Sequence, residues 1–283
     1  MHIIYLISVI LGISGQNITK KIFSGKTGGN GVYTFSMLSA LAAAAFFLLT
    51  ASGFSWNAAL IPYAIFFAIP YGTATIFNIL ALRCGPLSLT ALISSFSLMI
   101  PTFYGLIFLK DSVSLGLYPG LALLAASLFL INKKGNDTKG VSLKWAICVA
   151  LSFLGNGLCS VAQTMQQKRF SGQFKNEFMI TALVIVVVIM GLLAILKERK
   201  SAGTYIRAGW YLSLGCGILN GMVNMFVMIL TGLMNVSIMF PLVSVGGIVL
   251  TFIISKVFYK EKLTTGQHIG FLLGIGAIVL LNL

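Results

Sequence analysis

Apolar runs of roughly twenty residues, the length that crosses a bilayer, follow one another along this chain, and the second half of the series repeats the first. Ser94–Asn132 lies on Ser244–Asn282 at a constant shift of 150 without gaps. Phe108, Lys110, Gly116, Gly120, Leu123, Leu130 and Asn132 then meet Phe258, Lys260, Gly266, Gly270, Leu273, Leu280 and Asn282, and Asp111 falls on Glu261. The front of each half matches too: Gln16, Lys21, Phe23, Ser24 and Gly25 fall on Gln163, Lys168, Phe170, Ser171 and Gly172 at a shift of 147. Many secondary transporters are duplicated membrane units that hold substrate between the two copies. The pattern points to transport rather than catalysis.

Composition supports a lipid-covered fold. Charged residues make up 8% of the chain, hydrophobic residues 58%, and the mean hydropathy is +1.00. An ordinary soluble domain carries about 25% charged residues, so too few are present here to cover a water-facing surface. The net charge of +14 comes from 19 Lys and Arg against 5 Asp and Glu. These cations sit in short loops between apolar runs, where they orient the chain and bind anionic lipid headgroups, so no nucleic-acid partner is expected. Cys84, Cys148, Cys159 and Cys216 lack paired spacing and read as reduced, buried thiols rather than a disulfide or metal framework. The first run, Ile3–Ile18, has no basic leader or cleavage-like site and has a counterpart in the second half; it reads as a retained span.

The fold class expected is an all-α membrane protein of about ten transmembrane helices, arranged as two inverted five-helix repeats. The predicted spans are Ile3–Thr19, Val32–Ala51, Ala59–Leu80, Pro86–Leu109 and Ser114–Ile131, then Leu143–Met165, Phe178–Leu196, Ala208–Thr231, Val236–Val257 and Gly266–Leu281. Residues 1–134 form the first repeat, 135–142 the linker and 143–283 the second, within one membrane domain. The linker lies in the polar stretch Asn132–Lys144, broken by Gly135, Asn136, Asp137 and Gly140. An odd number of spans per half makes the halves face opposite ways. Sorting Lys and Arg by side leaves Lys110, Lys168, Arg169 and Lys175 with the termini and the other fifteen opposite. The positive-inside rule then puts the termini outside and the linker in the cytoplasm.

This layout resembles the drug/metabolite transporter superfamily, particularly its EamA-like members with two five-helix repeats. The residues that carry the resemblance are Gly85-Pro86 opening a span, Pro101 within it, and Lys110-Asp111 followed by Gly116 and Gly120. They are echoed by Pro241, Lys260-Glu261, Gly266, Gly270 and Gly274. Departures from the family pattern are Asp111 where Glu is usual, Asn235-Val236 in place of the Gly-Pro pair, and a loop Ser52–Asn57 without basic residues. The resemblance implies a small-solute carrier working by alternating access. Spans one to four and six to nine would line the centre, with spans five and ten at the periphery. It also implies cytoplasmic termini, against the charge count. The small-residue rows of spans five and ten allow close helix contact, either within the monomer or in a homodimer through those spans.

No acidic residue lies mid-span, which argues against a cation exporter trading protons on a buried Glu. His2 and His268 are far apart, and no carboxylate cluster accompanies them, so neither a metal, a cofactor nor a catalytic residue is expected. The spans carry neutral polar groups instead: Gln16, Tyr71, Thr75, Asn78, Asn156, Gln163, Asn220 and Asn224 are the candidate substrate-binding residues. A lipid-facing amide without a partner costs roughly 2–7 kcal/mol, so these should face the bundle interior, bonding either each other or a solute. Asn220 and Asn224 point the same way at i, i+4. The repeat-matched Gln16 and Gln163 should converge on a central site. Pro62, Pro70, Pro101 and Pro241 interrupt apolar spans, and Pro101 and Pro241 are candidates for a gating or static kink. Arg83 stands near a mouth as a headgroup anchor or an anion-attracting group.

The expectation is therefore a secondary transporter moving a small polar or amphipathic metabolite, its partners being that solute and membrane lipids. The expected location is multi-pass in a bacterial inner membrane. A carrier of lipid-linked substrates or divalent cations with the same fold, an integral-membrane lipid enzyme and a non-transporting scaffold are the alternatives.

Overall fold

The structure is a computed structural model that describes residues 2–51, 53–84, 90, 94, 96–111, 116–132 and 143–258, with 266, 269–270, 272–273, 276–277 and 280 of the last segment. Among these residues all regular structure is helical: α1 (His2–Thr27), α2 (Val32–Thr50), a 3-10 turn (Ala58–Leu60), α3 (Ile61–Cys84), α4 (Met99–Phe108), α5 (Leu117–Asn132), α6 (Leu143–Arg169), α7 (Lys175–Glu198), α8 (Ala202–Leu233) and α9 (Val236–Phe258). The described residues of the last segment are helical as well. Six of these helices, α1, α2, α3, α6, α7 and α8, are long and apolar enough to cross a membrane, the make-up of a multi-pass membrane protein. Their outward faces carry stripes such as Val184, Val188, Leu192 and Ile195 on α7, which lipid suits and water does not.

Five of the expected spans, Ile3–Thr19, Leu143–Met165, Phe178–Leu196, Ala208–Thr231 and Val236–Val257, sit inside observed helices that run further, whereas the expected Pro86–Leu109 is described as a named helix only over Met99–Phe108. α1 continues past Thr19 to Thr27, and α6 past Met165 to Arg169. Hydropathy marks where the apolar run stops, whereas a helix stops where the backbone can leave it. For α1 that point is Gly28 and Gly29, both at positive φ, since Lys20, Lys21 and Lys26 are good helix formers. α8 starts at Ala202 and departs from helical geometry at Gly209, where the Phe23 ring of α1 occupies the space a side chain would fill. The linker 135–142, Gly85-Pro86, Lys260-Glu261, Gly274 and the Arg83 side chain lie outside what the structure describes.

The prolines divide into two groups. Pro62 falls in the first turn of α3 and Pro101 in the first turn of α4, where a backbone N–H has no intrahelical partner to lose. The chain turns at Ser97–Leu98 and α4 begins at Met99, so Pro101 follows a break rather than kinking a continuous helix. Pro70 and Pro241 do lie inside α3 and α9. At Pro70 α6 approaches closely: a Cβ on Gly155 would sit 2.6 Å from the Pro70 carbonyl oxygen.

Helices from the first 132 residues pack mainly against helices from the last 141, and the packing comes in exchanged pairs. α1 lies along α8, while α3 lies along α6; α2 touches α8, while α3 touches α7; α1 touches α9, while α4 touches α6. α2 and α7 pack on each other, as do α4 and α9. Named contacts give the directions. Gly12 meets Val223, Gln16 meets Asn220 and Phe23 meets Gly209, so α1 and α8 are antiparallel. Phe67 with Cys159 and Ala74 with Ser152 make α3 and α6 antiparallel. Phe35 with Leu212 and Phe46 with Gly221 make α2 and α8 parallel, whereas Met37 with Gly191 and Thr34 with Glu198 make α2 and α7 antiparallel. The main apolar core, including Phe47, Phe67, Phe178, Met179 and Leu183, joins α2 and α3 to α6 and α7. α5 meets the last segment antiparallel: Gly116 lies against Leu280, Leu123 against Gly276, and the Ser127 hydroxyl donates to the Gly270 carbonyl at 2.6 Å. Gly116 and Gly270 of the small-residue rows thus make contacts within the chain.

Candidate functional site

Amides set on four helices are only stable in an apolar bundle when each finds a partner. Five of the eight candidate residues do so by bonding one another. The Tyr71 hydroxyl of α3 donates to Asn220 Oδ1 of α8 at 3.3 Å, and Asn220 Nδ2 donates to Gln16 Oε1 of α1 at 3.2 Å. One turn along α8, Asn224 Nδ2 donates to Asn220 Oδ1 and to its carbonyl at 2.9 and 2.8 Å. Gln163 Nε2 of α6 donates to Asn224 Oδ1 at 2.6 Å and approaches Met179 Sδ of α7 at 3.8 Å. Gln16, Gln163 and Asn224 are 7, 3 and 9% exposed, so water does not stand in for these bonds.

The result is a neutral polar ladder crossing the bundle through α1, α3, α8 and α6. Gln16 and Gln163 do not touch; Asn220 and Asn224, at consecutive turns of α8, bridge them. The Phe67 ring stacks on Tyr71 with centroids 5.5 Å apart, and Phe178 meets Phe67 edge-on at 5.8 Å, giving the ladder an aromatic flank. Two buried free thiols flank it, Cys216 one turn before Asn220 and Cys159 one turn before Gln163.

The other three candidates lie elsewhere in the bond pattern. Thr75 donates to the Tyr71 carbonyl of its own helix at 2.9 Å, a bond that satisfies the hydroxyl locally. Asn78 donates to Ser94 Oγ at 3.1 Å, two turns beyond Tyr71 and away from the ladder. Asn156 is half-buried on α6, two turns before Gln163, and its carbonyl accepts from Ser160. Sequence spacing placed Tyr71, Thr75 and Asn78 on one face; cross-helix partners separate them.

Open space lies to one side of the ladder. A cavity of about 230 Å³ sits at one mouth, between the α1–α2 loop, α3, the end of α7 and the start of α8, lined by Gly29, Gly31, Tyr33, Ile76, Lys197 and Tyr205 among others. None of the ladder residues lines this vestibule, and the ladder side chains bond one another. Among the described residues no group of His, Cys, Asp and Glu could hold a metal.

Two contributors escaped the sequence reading. Met179 closes the Gln163 end of the ladder, and nothing in its neighbourhood marks it as polar-facing. Glu198 borders the vestibule and holds the start of α2 through Tyr33 and Thr34; its rarity, one of 5 acids, was the available signal.

No family model matches the chain, and no curated protein matches it in sequence. Among solved structures, 29 chains match. One, described only as the crystal structure of a protein, overlays with a TM-score of 0.73 across 99% of this chain and 94% of its own, at 14% identity. The two share a fold. At that identity the likeness speaks to the path of the chain from end to end and to nothing about its chemistry.

Proposed function

We propose that the chain is a secondary carrier of the drug/metabolite transporter type, moving a small polar or amphipathic metabolite by alternating access. Its build is ten spans in two inverted five-helix repeats, and its substrate site is the ladder of Gln16, Tyr71, Asn220, Asn224 and Gln163. The observation that carries this reading is that hydrogen-bonded amides from both halves meet in an apolar bundle. A purely structural interior is served as well by packed apolar side chains, whereas neutral donors and acceptors that already exchange bonds can exchange them with a solute at small net cost.

The inverted arrangement draws support from direction and pairing. α1 and α6, α2 and α7, and α3 and α8 are the repeat mates; Phe67 with Phe178 and Gly72 with Met190 make α3 and α7 parallel, and with the contacts above each pair of mates runs opposite ways. The exchanged packing of α1 with α8 and α3 with α6 is what a two-fold axis in the membrane plane would produce. The gap in cost between burying an ion and a neutral amide also favours a metabolite over a divalent cation, because none of the described carboxylates bonds the ladder.

The test is a thermal-shift screen of the purified protein against metabolite classes. One class should stabilise it, and Gln16→Ala or Gln163→Ala should abolish that shift. Normal binding by both variants would remove the ladder as the site.

A further inference from the structure

Three acidic residues are described, Asp111, Glu177 and Glu198, and each reaches across to the other half of the chain. Glu198, at the end of α7, accepts from the N–H groups of Tyr33 and Thr34 at 3.1 and 2.8 Å and from the Thr34 hydroxyl at 2.7 Å. The preceding Gly31 gives α2 no side-chain cap, so Glu198 supplies it from outside. Glu177, at the start of α7, accepts from the N–H and hydroxyl of Ser55, beyond the end of α2, at 3.1 and 3.4 Å. Asp111 accepts from the Ser237 N–H at the start of α9 at 3.0 Å, on the same face of the bundle as Glu177. Glu177 and Glu198 stand at the two ends of α7, about 30 Å apart at 1.5 Å per residue, which is the thickness of a bilayer core.

From this geometry we propose that the carboxylates are the two gates of the carrier, Glu198 at one mouth and Glu177 with Asp111 at the other. The proposal rests on the alternating-access reading and adds which bonds control access to the ladder. Rocking one half against the other must break directed contacts at the mouth that opens. Between the mouths the interface is apolar packing, the ladder and weak contacts such as Ser152 to the Ala74 carbonyl at 3.4 Å and Cys159 to the Phe67 carbonyl at 3.7 Å; at the mouths it is held by hydrogen bonds to ionised groups, roughly twice as strong as neutral ones. Glu198 and Asp111 are half-buried and Glu177 is buried, so the mouth that opens must admit water to its carboxylate as the bond breaks. At the Glu198 mouth Gly28, Gly29 and Gly31 all adopt positive φ just before α2, a turn that favours glycine. The vestibule lies directly behind that carboxylate, bordered by Lys197 and Tyr205.

The flanking thiols report the gates without a known substrate. Cys216 is 2% exposed and packs with Phe35 and Leu212 on the Glu198 side, while Cys159 bonds the Phe67 carbonyl nearer the Glu177 side. With all other cysteines replaced by serine, each thiol is labelled with a membrane-impermeant maleimide in right-side-out and inverted vesicles. E198Q should speed labelling of Cys216 about tenfold or more from one side only. E177Q combined with D111N should do the same for Cys159 from the opposite side. A T34C/E198C disulfide should slow Cys216 labelling below the unmodified rate, and reduction should restore it, which guards against misfolding of the open variants. Faster labelling from the same side in both variants, equal labelling from both sides, or rates indifferent to variant and disulfide alike would overturn the proposal. Gates that respond as described while Gln16→Ala and Gln163→Ala leave ligand shifts intact would place the solute elsewhere and keep the gates. Lost ligand shifts with unresponsive gates would do the reverse.

Discussion

The shortest rung of the ladder offers a quantitative test. Gln163 Nε2 reaches Asn224 Oδ1 at 2.6 Å, and its other neighbour is Met179 Sδ, a weak acceptor at 3.8 Å. Asn224→Leu keeps the branched shape and removes that acceptor, leaving the buried Gln163 amide without a good partner; Gln163→Leu orphans Asn224 Oδ1 on that side. Stranding a buried polar group costs about 1–3 kcal/mol. Interhelical bonds in membranes measure less, about 0.6 kcal/mol on average and about 1.7 at most, because the unfolded chain finds other partners. Each single variant should therefore lose about 1–2 kcal/mol. The double variant removes donor and acceptor together and should cost less than the sum, with a coupling of about 1 kcal/mol. Reversible unfolding in mixed detergent–SDS micelles measures all four corners of the cycle. Additivity within about 0.3 kcal/mol would mean that the two amides do not share a bond, and the ladder would lose the rung that joins α6 to α8.

Other expectations follow from the same contacts. Asn78→Ala breaks only the bond to Ser94 and should leave ligand-induced stabilisation unchanged, while Asn220→Ala, which severs Tyr71 and Gln16 together, should eliminate it in the same thermal-shift assay. Gly155→Leu forces a side chain between α6 and α3, where even a Cβ would lie 2.6 Å from the Pro70 oxygen and 2.8 Å from the Ala74 nitrogen. It should destabilise by about 3 kcal/mol or more, seen as loss of a monodisperse peak in size-exclusion chromatography. Gly25→Leu, where no atom lies within 4 Å, is the matched control and should behave as the parent protein. Ser127→Val removes the bond to the Gly270 carbonyl and should lower stability by about 1 kcal/mol in the unfolding titration, leaving ligand shifts in place.

Much of this was legible in the residues alone, for identifiable reasons. Apolar run length marks membrane helices strongly, and α2, expected over Val32–Ala51 and observed over Val32–Thr50, shows how well it works when a Gly-rich loop and an apolar stop coincide. The rule that buried amides need partners points all eight polar candidates into the bundle, and five of them, Gln16, Tyr71, Gln163, Asn220 and Asn224, bond one another. It failed for Thr75 and Asn78 because helical spacing gives a direction but not a neighbour. Thr75 was satisfied by its own backbone, and Asn78 by Ser94. Pro101 misled because hydropathy runs straight across the turn at Ser97–Leu98, where the helix has already restarted. Glu198 and Glu177 read as loop-edge charges, since no pattern in a sequence reports a carboxylate that accepts from a backbone N–H more than a hundred residues away.

Repeat-matched positions examine the upside-down duplication most directly. Ser24, near the end of α1, and Ser171, just beyond α6, occupy the same place in the two copies. Single cysteines at these positions, in a chain freed of its own, can be probed in intact cells with an impermeant thiol reagent. One should label readily and the other only after the membrane is permeabilised. Labelling of both from the same side would contradict opposed copies, and with them a solute passing between halves that rock around the ladder.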